Sequence, residues 1–90
     1  MNTISNAFYE LNKGIRLFPN PTSSKLTFEV ENHLGHRLKV QDITGKVVLV
    51  QELGTEQTTI SVANWAKVMY FYEIETQNGQ LIGSDKFIVK

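Results

Sequence analysis

From Ile15 onward, apolar and polar residues alternate with a period of two along most of the chain. In KLTFEV, Leu26, Phe28 and Val30 share one face and Thr27 and Glu29 the other, as a half-buried strand requires. Leu38 and Val40 repeat the pattern, and Ile60 and Val62 alternate with Thr59 and Ser61. Tyr70, Tyr72 and Ile74 alternate with Phe71, Glu73 and Glu75, and Phe87 and Val89 with Lys86, Ile88 and Lys90. The run KVVLVQEL, residues 46–53, is apolar on both faces at its start, which predicts a central strand covered on both sides. Ahead of these runs, Ile4, Phe8 and Leu11 sit at helical spacing with Ser5 as a cap. Three apolar positions support a linker or a single turn of helix, which Gly14 ends.

Turn chemistry separates the strands. Asp42-Ile43-Thr44-Gly45 combines an Asx-type start with a glycine suited to positive φ, so it predicts a tight hairpin. Asn78-Gly79 predicts a second hairpin through a type I′ turn. In LFPNPTSS, Phe18 and Asn20 each precede a proline and are pushed toward extended geometry. Pro19 and Pro21 lack donors, which places the corner at a sheet edge or between sheets. Six to seven short strands with regular turns and no long helix predict an all-β fold, an antiparallel, immunoglobulin-like β-sandwich.

Ninety residues make one domain, and 41% hydrophobic content suits a globular core. A chain of this size buries roughly 60 to 65% of its unfolded surface, which leaves little room for a deep cleft. Nine basic and nine acidic residues cancel, so no electrostatic footprint for nucleic acid or an anionic membrane is present. The absence of cysteine favours an intracellular protein without excluding export. Residues 1–14 lack the basic start and apolar run of a secretion signal, so export would need a signal on a longer parent chain or a signal of another kind.

Candidate chemistry is sparse. His33 and His36 stand at H-x-x-H spacing, but a zinc site needs a third or fourth ligand, and they read as loop residues. Nothing fixes Ser84-Asp85 and a histidine into a nucleophile–base–orienter set. Glu73 and Glu75 read as a solvated strand face, and the scattered glycines make no phosphate loop. An enzyme is not expected, and no metal or cofactor either. Trp65, between Ala63 and Ala66, could stack on a sugar; a plug under the sandwich fits better, because Trp is highly buried on average.

In order, LFPNPTSSKLTFEV, LKVQDITGKVV, TISVANWAKVMYFYEI and SDKFIVK resemble the C-terminal sorting domain of proteins exported by the type IX secretion system, the type A Por secretion tail. The resemblance covers residues 15–90, leaving 1–14 as a linker from a preceding cargo region. The motif positions it carries over are Pro19, Asn20, Pro21, Asp42, Gly45, Tyr70, Lys86 and Lys90. Val68 stands where the family generally has glycine, and Trp65 where it usually has leucine. The resemblance implies a secretion signal recognised by the outer-membrane type IX translocon. By it, an attached cargo passes through the periplasm to the cell surface or medium, and a sortase-like peptidase removes the tail. Capture of an exposed edge strand is one mode for such recognition, and edge strands could also support a homodimer. Two other readings compete: an immunoglobulin- or fibronectin-like surface module for carbohydrate, and a metal-dependent enzyme built on His33 and His36.

Overall fold

A computed structural model of the chain describes residues 11–31 and 35–90. Seven strands follow one another: β1 Ile15–Phe18, β2 Lys25–Val30, β3 His36–Gln41, β4 Val47–Leu53, β5 Gln57–Ser61, β6 Met69–Glu75 and β7 Leu81–Ile88. They form two sheets, β1-β2-β5 and β4-β3-β6-β7, in which every strand pairing is antiparallel. The four-stranded sheet follows the order of an immunoglobulin-type GFC sheet extended by a C′ strand. The all-β sandwich expected from the alternation is therefore the observed fold.

The inward set is the one the period of two selects. Leu26, Phe28 and Val30 face Leu38, Val40, Tyr70, Tyr72, Ile74, Phe87 and Val89 across one core, closed at its ends by Leu53, Ile60 and Val62. Phe28 meets Tyr72 edge-on at 5.3 Å between ring centroids, and Phe87 at 6.2 Å, so one ring ties the two sheets together. Contacts of this kind add about 0.5 to 1.5 kcal/mol each beyond the area they bury.

The strand at 46–53 differs from expectation. Among the described residues β4 is an edge strand, paired only with β3, and Val47, Val48 and Val50 are 44%, 39% and 56% exposed. Only its other face looks inward, with Leu53 buried and Leu49 packed on the core. A short apolar run has the same composition whether two sheet neighbours cover it or solvent meets one side. An extra residue, Val48, lies between the pairs Val40–Leu49 and Gln41–Val47, so a β-bulge opens the strand.

The Asn78-Gly79 turn also departs from the type I′ form. Asn12 is the one non-glycine residue with positive φ among the described residues, so Asn78 cannot occupy the first position that type I′ requires. Instead the Gly79 N–H donates to the Thr76 carbonyl at 2.9 Å and the Thr76 N–H to the Gln80 carbonyl at 2.9 Å. This is a three-residue loop with Gly79 at φ 83° as its left-handed closing residue. The Asp42–Lys46 hairpin is built the same way, with Gly45 at φ 89°. Of the proposed first helical turn, Ile4 and Phe8 lie outside the described residues, while Leu11–Gly14 form a turn.

Candidate functional site

The motif residues fall into two places and a buried anchor. The first is a corner that joins the start of the strand-bearing segment to its last residues. After β1 the chain passes Pro19-Asn20-Pro21, both X–Pro bonds being cis, and leaves the three-stranded sheet. Thr22 then makes a parallel bridge to Val89, beside the four-stranded sheet. The Thr22 N–H donates to the Ile88 carbonyl at 3.0 Å, and the Lys90 N–H donates to the Thr22 carbonyl at 2.8 Å. The Asn20 side-chain Oδ1 accepts the Ile88 N–H at 3.2 Å. Thr22 is 2% exposed, and its hydroxyl donates to the Lys25 carbonyl. The proline corner therefore lies between the sheets, as its missing donors require, and holds the last three residues in place.

From the other side the Val89 N–H donates to the Val68 carbonyl at 3.0 Å. Val68 has no positive φ, so a β-branched residue fits where glycine is usual in the resembling family. The loop that carries it is held down by Tyr70. Its ring is buried, stacks on Phe87 at 5.7 Å and leans on Trp65 at 5.0 Å. Its hydroxyl donates to the Ala66 carbonyl at 2.8 Å. A tyrosine near the start of this strand, bonded to backbone a few residues upstream, is the tyrosine corner of immunoglobulin-like sandwiches. Trp65 is half-buried and packs on Tyr70 and Phe87, as a plug does.

Lys86 and Lys90 are exposed on β7 and its extension, while Phe87 and Val89 between them are buried. The alternation thus delivers two ammonium groups to the surface from a strand whose other face is core. A hollow of about 230 Å³ lies beside Lys86, lined also by Asn12, Asn20, Tyr72 and Asp85. Burial pushes the Tyr72 phenol up to about 12, and the Asp85 carboxylate adds to the rise.

The second place is the β3–β4 hairpin. Asp42 Oδ1 accepts the N–H of Thr44 at 2.8 Å and of Lys46 at 3.1 Å, together with the Thr44 hydroxyl. The Thr44 hydroxyl is the main reason the carboxyl sits below its ordinary value; the two N–H groups and the Lys46 charge add to it, and desolvation opposes them. Lys46 at the base of this turn leads into β4 at one edge of the sheet and Lys86 lies on β7 at the other, with β3 and β6 between, so the hairpin and the corner are separate surfaces of one sheet. Of the motif residues, Pro19, Asn20, Pro21, Lys86 and Lys90 gather at the corner, Asp42 and Gly45 at the hairpin, and Tyr70 inside.

His36 lines a hollow of about 290 Å³ with Arg37, Glu52, Thr76 and Gln77, and its buried Nδ1 has no hydrogen-bond partner among the described residues. His33 lies outside the described residues, so the H-x-x-H pair is not in view as a pair. Among the described residues no three His, Asp or Glu side chains converge as metal ligands would.

Two participants escape sequence reasoning. Thr22 looks like one more member of a polar run, and its burial follows only from the bridge to Val89. Asn12, at φ 69°, exchanges two side-chain bonds with Ser84, accepting its N–H at 2.8 Å and donating to its carbonyl at 3.1 Å. Its tolerance of the left-handed region was a readable signal; its distant partner was not.

Compared with known proteins, residues 16–90 match the family model described as the secretion system C-terminal sorting domain. No curated protein and no solved structure matches the chain.

Proposed function

Since the chain belongs to the type IX secretion system C-terminal sorting domain family, we propose that its sandwich is read in folded form by the outer-membrane translocon. The cargo, attached through residues 1–14, crosses the periplasm and reaches the cell surface or medium, where a sortase-like peptidase removes the tail. The observation that carries this reading is the corner itself. Pro19–Thr22 and Ile88–Lys90, near the two ends of the matched segment, are tied together by three hydrogen bonds counting the one to the Asn20 side chain, and Val89 is held from the other side by Val68. A receptor that touches this corner meets Lys86 and Lys90 only in a folded domain, so folding and address are checked together. The buried motif residues, Tyr70 above all, serve that surface from inside.

The test fuses residues 1–90 behind a periplasm-targeted fluorescent reporter in a bacterium with a working type IX system, beside a strain lacking the translocon. Translocon-dependent appearance of the reporter outside the cell supports the reading. Retention of a folded reporter in the periplasm of both strains would falsify it.

A further inference from the structure

The Asn78-Gly79 pair at the tip of the β6–β7 hairpin brings together an amide and a backbone nitrogen that can react with each other. In such a pair the glycine nitrogen attacks the asparagine Cγ and ammonia leaves. Glycine favours the step because it has no Cβ to obstruct the approach of its own backbone. Asn78 is the one asparagine in the chain that precedes a glycine. Asn20 precedes Pro21, whose nitrogen has no proton to lose. Asn12 precedes Lys13, and both ends of its amide are bonded to Ser84. The remaining asparagines all precede residues that carry a Cβ.

The fold exposes this pair and also restrains it. Asn78 and Gly79 are both exposed. The attacking species is the deprotonated Gly79 nitrogen, yet the Gly79 N–H donates to the Thr76 carbonyl at 2.9 Å. Two further bonds close the loop. The Thr76 N–H donates to the Gln80 carbonyl at 2.9 Å, and the Gln80 N–H donates to the Thr76 hydroxyl at 3.1 Å. All three pass through Thr76, and while they hold, the Gly79 nitrogen keeps its proton. An exposed hairpin tip opens locally at a lower cost than the domain unfolds. We propose that Asn78 is the site of spontaneous deamidation in this chain, and that Thr76, by holding the Gly79 nitrogen, sets its rate.

In the first step the bond from Gly79 N to Asn78 Cγ forms and the Cγ–Nδ2 bond breaks. The Gly79 proton leaves with Nδ2 as ammonia. The cyclic imide then takes up one water. Cleavage of the new N–Cγ bond leaves aspartate in an ordinary backbone. Cleavage of the original peptide bond leaves isoaspartate, with the chain routed through Cβ and Cγ. Either product carries a new negative charge. Aspartate preserves the three-residue loop with Gly79 at φ 83°. Isoaspartate adds one carbon to the backbone between the ends that Thr76 and Gln80 hold, so the three closing bonds cannot all persist. This loop lies at the end of β6 and β7 opposite the Met69–Ile88 pair, so its chemistry is independent of whether the proline corner is read.

The 90-residue chain is incubated in mildly alkaline buffer, folded and in guanidinium chloride, and digested with trypsin at intervals. Mass spectrometry follows the peptide Val68–Lys86, which contains no other asparagine. The expected result is the mass gain of an amide turned to an acid, divided between two chromatographic species and slower in the folded chain. Thr76→Val removes the hydroxyl bond to Gln80 and speeds the folded reaction roughly two- to ten-fold, with the denatured rate unchanged. Far-UV circular dichroism confirms that this variant folds. Asn78→Gln abolishes the gain, because its longer side chain closes a ring far more slowly. The isoaspartate species exchanges its Thr76 and Gln80 amides faster than Asn78→Asp does. No gain in this peptide, or an earlier gain at another asparagine, overturns the assigned site. Equal rates in the folded and denatured chains, or a Thr76→Val variant that reacts no faster, overturn the role of Thr76.

Discussion

Tyr70 shows how one side chain links core packing to the corner proposed as the recognised surface. Its ring fills the core beside Phe87 while its hydroxyl holds Ala66, and so positions the loop whose Val68 carbonyl receives Val89. Tyr70→Phe keeps the ring and leaves the Ala66 carbonyl without its donor, which should cost about 1 to 3 kcal/mol in urea unfolding. Tyr72 supplies a pH signature. Its phenol ionises near 10 in the unfolded chain and at about 12 in the fold. A raised folded value means the stabilisation is complete below pH 10 and drains away as pH climbs toward 12. By linkage the loss is at most about 2 kcal/mol, because solvent at the open side of the phenol screens part of the effect. Unfolding curves at stepped alkaline pH should show this limb, and Tyr72→Phe should flatten it relative to the parent. Asp42 has the opposite sign: its lowered value makes the hairpin's carboxylate bonds a contribution that is lost as pH falls. A carboxyl resonance of Asp42 titrating above 3.8 would contradict that assignment.

At the scale of elements, β7 is an edge strand that behaves as an interior one, because residues 12 and 20–22 occupy its open side. Asn12→Ala should remove both Ser84 bonds and cost about 1 kcal/mol. Its more specific effect is faster amide exchange at Ser84 with Ile88 unchanged, since Ile88 is covered by a different residue. Gly83 is buried at the same edge, and a side chain built on it would run into Ile15 and Asn12. Gly83→Val should therefore destabilise by about 1 to 3 kcal/mol through overpacking, measured in the same unfolding assay. Capture of an exposed edge strand by a partner would find no free row of groups on β7, whose outer side is bonded to residues 12 and 20–22.

For the molecule as a whole, the corner changes how an export experiment must be designed. Deleting residues 86–90 takes away Phe87 and Val89, both in the core, so loss of export would report unfolding as readily as lost recognition. Lys86→Ala with Lys90→Ala removes only exposed charges and should leave stability within about 0.5 kcal/mol. If these lysines are read, translocon-dependent export of the reporter falls while the melting temperature holds. Unchanged export would take them out of the recognised surface. Without a single cysteine, the sandwich is tied across its sheets by Phe28 against Tyr72 and Phe87, with Tyr70 and Trp65 packed beside Phe87. Cysteine usage, which favoured an intracellular protein, was outweighed by the family to which the chain belongs.

Which residues face inward was determined by the sequence itself, because a strand side-chain period of two sorts each alternating run without knowledge of its neighbours. The two hairpin positions, the sorting-domain family and the packing of Trp65 were legible for similarly local reasons. Strand order was not. The run at 46–53 satisfies a covered strand and an open edge equally well, and only the pairing of β3 with both β4 and β6 makes it an edge. Asn78 was read one conformation too far, since Gly79 alone supplies the left-handed residue this loop uses. The contacts of Thr22 with Val89 and of Asn12 with Ser84 join residues 67 and 72 positions apart. Such contacts come from the way two sheets close on one another, and no local pattern of apolar and polar residues encodes them.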